Sequence, residues 1–114
     1  MEKFIPKSRK GPEAIIQEKI VKKLTLLGWY VKETHGNVFQ YGFPDIFATH
    51  SIYKQRWIEV KNPDGWQFTA AQHETFPKFI ANGAPIWVLM GDSDFEINKL
   101  FAPSNMWYYL SGGK

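Results

Sequence analysis

Three charged residues in one short segment have the types and the spacing of a hydrolytic metal site. Asp45 follows Pro44, and farther along the chain Glu59 and Lys61 are separated by a single valine. Side chains two residues apart in a β-strand project from the same face, so a strand here would bring Glu59 and Lys61 together. Carboxylate oxygens suit Mg²⁺, and an ammonium beside them can stabilise charge that builds up on a phosphate. The three side chains therefore indicate hydrolysis at a phosphate centre.

Each of the three residues also has an ordinary structural interpretation. An aspartate after a proline is a common turn residue, and a glutamate and a lysine on one strand face can form an incidental, solvated ion pair. A hairpin that turns midway between the two segments would instead place Asp45 opposite Glu59 or Lys61. This spacing, together with the apolar residues that flank Glu59, favours the functional interpretation.

The rest of the chain predicts the elements that must hold these side chains. Proline in a first turn, helix-forming residues after it and glycine at the far end predict a helix between Pro12 and Gly28. Runs of β-branched and aromatic residues predict three strands before a second helix and one buried strand after it. The predicted segments are helix 12–27, strands 29–35, 46–50 and 56–61, helix 69–83 and strand 85–90. The order α-β-β-β-α-β predicts an α/β fold in which helices flank a central mixed sheet.

Two stretches of the pattern are less regular. Pro77 inside the second helix predicts a kink or an early end of that helix. The segment after the buried strand predicts a short helical turn, one edge strand and a frayed tail at 111–114.

The first predicted helix has an apolar stripe along one side, and two polar residues lie on that same side. Glu13 and Gln17 fall on the side of the stripe when each residue is rotated by about 100° from the one before it. A carboxylate and an amide that face the protein interior are unfavourable unless they find partners there. The stripe itself consists of Ile16, Ile20, Leu24 and Leu27, with Val21 at its edge.

Composition and charge limit the class of protein. The 114 residues, 44% of them hydrophobic and 22% charged, fit one globular domain, predicted at 12–110. The formal charge of +3 permits a polyanionic partner, and the lack of cysteine rules out disulfides and thiolate metal sites. No apolar run reaches about 20 residues, and the N-terminus lacks the apolar core of a signal peptide. We therefore expect no membrane partner and a cytoplasmic location.

Residues 1–11 form a basic segment that is predicted to be a flexible arm outside the core. Its cations include Lys7, Arg9 and Lys10, and Glu2 is its single acid. The arm is either a solvated terminus or a segment that contacts phosphates.

The charged residues and their surroundings resemble a known nuclease family. Gly42-Phe43-Pro44-Asp45, followed by Ile58-Glu59-Val60-Lys61, resembles the signature of the PD-(D/E)xK nuclease superfamily. With Gln72 in FTAAQ and Gly83 before a buried strand, the chain resembles the VRR-NUC family over about residues 12–90. The resemblance implies a restriction-endonuclease-like core and a DNA endonuclease that uses Mg²⁺ or Mn²⁺. It also implies a homodimer that selects branched, Holliday-junction-like DNA in the cytoplasm of a bacterial or phage-infected cell.

The resemblance also assigns roles to individual residues. It implies that Asp45 and Glu59 are metal ligands, with the Val60 carbonyl as a further oxygen ligand. It implies that Lys61 is the catalytic lysine and that Gln72 supports the site from the second helix.

Two of the assigned positions have alternatives. The family's first helix contributes a glutamate, for which Glu13 is our choice, whereas Gln17 one turn later would make a neutral ligand and a weaker metal site. Gln72 also forms a capping box with Thr69, in which the glutamine side chain reaches back to the first backbone amide of the helix.

Two further residues are candidates near the site. His35 precedes a loop that leads toward Gly42, where it could contact a phosphate or act as an accessory base, or could simply be exposed. Trp66, in NPDGWQF, is predicted in a loop outside the core, where its ring could stack on an unpaired base.

Other functions fit the same residues. Among nucleases they are a flap or single-strand nuclease and a nicking or restriction-type enzyme. From other classes they are a non-catalytic DNA-binding module with a nuclease fold and a protein-binding domain with an aromatic surface. The complete set of Asp45, Glu59 and Lys61 favours catalysis, because a binding module has no physical need of it.

Overall fold

The computed structural model describes residues 11–34 and 42–112, which form one mixed sheet with helices on both faces. The basic arm with Lys7, Arg9 and Lys10, and the candidate His35, lie outside the described residues. The first part contains helix α1 (Pro12–Leu26), strands β1 (Tyr30–Glu33), β2 (Ile46–His50) and β3 (Lys54–Val60), and helix α2 (Ala70–Ala81). The second part contains strand β4 (Ile86–Leu89), helix α3 (Asp94–Ile97), a 3₁₀ helix (Asn98–Phe101) and helix α4 (Met106–Leu110).

The sheet has the strand order β1-β2-β3-β4. Strands β1 and β2 are antiparallel, β2 and β3 are antiparallel, and β3 runs parallel to β4. The long connection through α2 makes the parallel pair possible, because parallel neighbours need a crossover. The predicted α/β fold with a mixed sheet and the order α-β-β-β-α-β is thus confirmed.

Alternation along the strands divides the core into two clusters. Ile58 of β3 packs with Ile20 and Leu24 of α1, whereas Val88 of β4 packs with Phe76 of α2. The residues of β4 contribute to both clusters and are buried throughout, which confirms the prediction of a strand covered on both faces. Since side chains two residues apart share a face, Glu59 of β3 and Lys61, just after the strand, project toward α2.

Helix α1 ends at Leu26, one residue before the last residue of the predicted apolar stripe. Leu27 is the C-cap residue and 56% exposed, so its assignment to the buried stripe is wrong. Gly28 follows with a φ of +95°, the left-handed conformation that commonly terminates a helix. The rotation of the chain at this cap turns Leu27 away from Ile20 and Leu24, which are fully buried.

Helix α2 begins as predicted but does not end early. Thr69 is its N-cap, and the helix continues past Pro77 to Ala81, so the predicted early break is wrong. Proline removes the hydrogen bond to the carbonyl four residues earlier, which belongs to His73. His73 is exposed, so water can reach this part of the helix.

The C-terminal segment covers the outer edge of β4 with side chains rather than with a strand. Asn105 Oδ1 accepts a hydrogen bond from Val88 N at 2.7 Å, and Asn105 Nδ2 donates to Val88 O at 2.9 Å. The Ser104 hydroxyl donates to Ile86 O. Glu96 Oε1 accepts from Met90 N at 2.7 Å. These side chains satisfy backbone groups that would otherwise be open to pairing. The predicted edge strand is therefore wrong, and the segment is helical instead.

None of the helices in the described ranges combines the length and the apolar character that a membrane crossing needs.

Candidate active site

The three charged residues meet at one end of the sheet, the end at which strands β3 and β4 finish. Strands β3 and β4 are parallel, so their carboxyl ends lie at the same edge, where β1 also ends and β2 begins. Ile46 pairs with Ile58, which puts Asp45, one residue earlier, opposite Glu59. The structure thus brings Asp45 to Glu59 as the hairpin spacing predicts.

Gly42 lies so close to α2 that a side chain there would press on Thr75. Its φ is +84°, and a Cβ atom built there would lie 3.0 Å from Thr75 Oγ1 and 3.1 Å from Thr75 Cγ2. The Thr75 hydroxyl donates a hydrogen bond to the Gly42 carbonyl at 2.7 Å. Conformation and close packing therefore both require glycine here, and they fix the start of the segment that carries Asp45.

Residues 43 to 45 are held from several sides. Phe43 packs edge-on against aromatic rings of β3 and α2, and Pro44 is buried. The Thr34 hydroxyl donates to the Pro44 carbonyl, and Thr34 N donates to Asp45 O at 2.9 Å. Asp45 Oδ2 accepts a hydrogen bond from Val60 N at 2.8 Å. These contacts hold the Asp45 carboxylate beside the backbone of β3.

Glu59 is a buried carboxylate in which one oxygen has hydrogen-bonding partners and the other has none among the described residues. The residue is 2% exposed. Its Oε2 atom accepts hydrogen bonds from Gln72 Nε2 at 2.8 Å and contacts Lys61 Nζ at 3.1 Å. Its Oε1 atom is buried and has no hydrogen-bond partner in the described part of the chain. Leaving a buried acceptor unpaired is unfavourable by about 1–3 kcal/mol, and more for a charged group.

The environment of Glu59 favours its protonated form. Burial, and then the negative charge of Asp45, raise the pKa of the Glu59 carboxyl well above its ordinary value of 4.5. Lys61 and the hydrogen bond from Gln72 oppose this rise. A second positive charge at the free oxygen would stabilise the ionised form, since an opposite charge nearby favours ionisation.

Lys61 is held at a fixed position by acceptors on three sides. It is 5% exposed, and its Nζ atom donates to the Gln67 carbonyl at 2.8 Å and to Gln72 Oε1 at 3.2 Å, besides its contact with Glu59. It also lies 4.7 Å from the centre of the Phe68 ring. An ammonium has three donors. All three are directed at protein acceptors, so the charge is fixed in space.

Gln72 combines the two roles that the sequence leaves as alternatives. Its Oε1 atom accepts from Thr69 N at 3.0 Å and completes a capping box, in which Thr69 Oγ1 accepts from Gln72 N at 3.1 Å. The same Oε1 atom accepts from Lys61, while Nε2 donates to Glu59. Helix α2 begins at the edge of the site, so a single amide caps the helix and joins the two charged residues.

Two side chains at this end of the sheet are candidate ligands for a divalent cation. The unpaired Glu59 Oε1 and the adjacent Asp45 are hard oxygen donors. No group of three or more His, Cys, Asp and Glu side chains with the arrangement of a metal site occurs within 11–34 and 42–112. Two carboxylates would leave coordination positions for water and for phosphate oxygens, which is the usual Mg²⁺ arrangement at phosphate-transfer sites. The Val60 carbonyl stays a predicted additional ligand.

The first helix contributes a contact that the sequence did not reveal. Gln17 Nε2 donates to Glu33 Oε1 at 2.8 Å, so the inward-facing amide has its partner on β1. Glu33 ends β1 at the edge where β2 begins, and its position opposite Ile46 puts it on the α1 side of the sheet. Among the described residues, the side chains that shift the pKa of the Glu59 carboxyl are those of Asp45, Lys61 and Gln72. Glu13 is half-buried in the first turn of α1, and its role as a ligand stays a prediction.

Trp66 lies in a loop, but its ring is half-buried. It packs against the α2-side cluster, with its ring centre 5.7 Å from that of Phe68 and 5.6 Å from that of Tyr109. The prediction of a loop is confirmed, whereas the prediction that Trp66 stands outside the core is wrong in part.

Comparison of the chain with protein-family models, with curated protein sequences and with solved structures gave no match. The chemistry of this site therefore has to be inferred from its own residues.

Proposed function

We propose that the chain is a DNA endonuclease that hydrolyses phosphodiester bonds with Mg²⁺ or Mn²⁺. One observation carries the proposal: the buried Glu59 Oε1 has no partner in the described residues, although Asp45 lies opposite and Lys61 beside it. An unpaired carboxylate oxygen in a core is unfavourable for a structural residue. The same oxygen is a suitable donor to a divalent cation.

The residues of the site have separate tasks in this proposal. Asp45 and Glu59 would hold the cation, which would lower the pKa of a bound water and polarise the phosphorus centre. Lys61 presents a fixed positive charge that stabilises the negative charge growing on the phosphate. Gln72 positions both Lys61 and Glu59, because its amide contacts each of them.

The choice of substrate rests on the resemblance to stand-alone VRR-NUC nucleases. We propose branched, Holliday-junction-like DNA as the substrate and a homodimer as the active form. A four-way junction has two equivalent scissile strands, and a two-fold dimer would bring one site to each. Such a substrate would place the protein in the cytoplasm of a bacterial or phage-infected cell.

A cleavage assay tests the proposal. The purified chain is incubated with four-way junction, flap, nicked, duplex and single-stranded DNA in Mg²⁺, Mn²⁺ or EDTA. Asp45→Asn and Glu59→Gln are assayed beside it, and Glu74→Gln is the matched control because the Glu74 side chain is 72% exposed on α2. We expect metal-dependent cuts, paired across the junction, with the parent chain and the control, and none with the two site variants.

Two results would change the proposal. DNA that is retarded on a gel but uncut with every metal would favour the non-catalytic DNA-binding module. Cleavage that survives in Glu59→Gln would remove the metal site from the mechanism.

A further inference from the structure

The loop between β3 and α2 forms an open groove next to the site lysine. The groove is largely open to solvent and is lined by Gly65, Trp66 and Gln67. The Gln67 carbonyl accepts the hydrogen bond from Lys61 Nζ at 2.8 Å. The groove therefore begins at a residue that directly holds the charge beside the two carboxylates.

The aromatic wall of the groove is held in place by its neighbours. The Trp66 ring meets the rings of Phe68 and Tyr109 at interplanar angles of 78° and 84°. Tyr109 is itself anchored, because Lys99 Nζ donates to its hydroxyl at 3.2 Å and pairs with Glu96 at 2.8 Å. In the described part of the chain, no ring lies parallel on Trp66. The indole thus has edge-to-face partners, and a planar ring that enters the groove could add a stacked one.

Gly65 lines the groove and faces open space. Gly65 is not one of the glycines with a positive φ. A Cβ atom at this position would have no heavy atom within 4 Å, apart from those of its two neighbours in the chain. Neither the backbone conformation nor close packing requires glycine here, unlike at Gly42. Residue 65 therefore tolerates a side chain, which would extend into open space.

We propose that this groove binds an unpaired nucleobase of the DNA strand, next to the phosphate that is cleaved. The base would stack on Trp66 while its neighbouring phosphate lies near the charge of Lys61 and at the cation that Asp45 and Glu59 would hold. A stacking platform accepts any base, because every base presents a π face. This inference rests on the proposed function and adds to it the feature of the substrate that the enzyme selects.

The groove would make branched and distorted DNA better substrates than continuous duplex. In a duplex each base is paired and stacked, and removing one from the helix is unfavourable. A flap, a bulge or the crossover of a junction supplies a base that is already free or easily freed. The groove thus accounts for structure selection without any contact that reads the sequence.

The test uses full-length protein and DNA that contains 2-aminopurine, whose fluorescence changes when it stacks. Binding is measured with Asp45→Asn in EDTA, so that no DNA is cut, with the 2-aminopurine either in a single-base bulge or paired in a duplex. Trp66→Ala removes the platform in this background, and Gly65→Leu adds a side chain next to Trp66, at a position where a Cβ atom meets nothing beyond its neighbours in the chain. Trp107→Ala is the matched tryptophan control, because Trp107 is 54% exposed on α4 and does not line the groove. Thermal unfolding verifies that each variant is folded.

We expect the bulged base to change its fluorescence on binding, and the paired base to change much less. Trp66→Ala and Gly65→Leu should abolish this change and lower kcat/KM on bulged DNA about tenfold in the chain with Asp45 intact. Cleavage of continuous duplex and the behaviour of Trp107→Ala should stay at the parent level. Gly65→Leu keeps the test valid if Trp66→Ala does not fold.

The inference and the proposed function can fail separately. If the parent cleaves bulged and continuous DNA equally and neither groove variant alters cleavage or fluorescence, the groove inference is refuted and the nuclease stands. If the fluorescence depends on Trp66 but no metal supports cleavage, the base site stands and the nuclease is refuted. Failure to bind any of these DNAs would refute both.

Discussion

Replacing Gln72 with glutamate changes one donor atom at the centre of the site. The parent Oε1 atom accepts from Lys61 and from Thr69 N, and a glutamate oxygen would keep both of these hydrogen bonds. The parent Nε2 atom donates to Glu59 Oε2 at 2.8 Å, and the second glutamate oxygen cannot donate in its ionised form. The substitution therefore preserves the helix cap and removes only the link to Glu59.

Gln72→Glu should lower the free energy of unfolding by about 3 kcal/mol at pH 8. A hydrogen bond to a charged group contributes about 1.5–3 kcal/mol, and the new carboxylate adds repulsion against Glu59. Burial and Asp45 already raise the pKa of Glu59 above its ordinary value of 4.5, and a second carboxylate would raise the pKa of the pair further. Below this higher pKa, the folded variant keeps a proton that the unfolded chain has released. Its stability then falls as pH rises, by up to about 1.4 kcal/mol per pH unit.

Thermal unfolding in EDTA between pH 5 and pH 8 measures this effect. At pH 5 a proton shared by the two carboxyls restores the hydrogen bond, so Gln72→Glu should unfold close to the parent temperature. At pH 8 it should unfold about 12 °C lower, since 1 kcal/mol corresponds to about 4 °C in a domain of this size. Ala70→Glu, which adds the same charge at an exposed position in the same helical turn, controls for charge alone.

Equal stability of Gln72→Glu and the parent at every pH would refute this reasoning. It would show that Gln72 acts only as a capping residue, because glutamate completes a capping box as well as glutamine does.

Three further substitutions test other contacts. Asn105→Ala should lower the free energy of unfolding by about 2–4 kcal/mol in urea titrations, because it leaves two buried backbone groups of Val88 unpaired. A loss below about 0.5 kcal/mol would contradict the proposal that Asn105 satisfies the outer edge of β4. Gly42→Ala should destabilise by about 2–4 kcal/mol, since a left-handed alanine would also press on Thr75, and parent-like stability would show that this close contact relaxes freely. Lys61→Met should lower the rate of cleavage at least 100-fold while Mn²⁺ still binds, and loss of Mn²⁺ binding instead would assign the lysine to folding the site.

The parts of the fold that the sequence predicts are those governed by local periodicity. The alternation around Glu59 and the distance to Asp45 fix the hairpin register, because a shift of one residue would turn every side chain to the other face. The Gln17–Glu33 hydrogen bond spans 16 positions and requires α1 to dock on β1, so no local pattern reveals it. The sequence places Glu33 within the predicted strand 29–35, but it does not indicate the partner of its side chain.

The C-terminal segment shows the opposite case, in which local preference misleads. The consecutive aromatic residues 107 to 109 have high β-propensity, which favours a strand. Met106, just before them, is instead fully buried in the α2-side cluster, and a short helix places it there. Asn105 then supplies the hydrogen bonds that a neighbouring strand would have made to Val88. Tertiary packing thus overrides the strand preference of the segment.

The most direct test of the account is whether Glu59 and Asp45 together bind a divalent cation. Titration of Mn²⁺ into the protein, with free Mn²⁺ followed by electron paramagnetic resonance, measures binding without DNA or turnover. We expect saturable binding by the parent and by Glu74→Gln, and loss of that binding in Glu59→Gln and Asp45→Asn. Mn²⁺ binding that is equal in Glu59→Gln and the parent, or absent from the parent, would contradict the account.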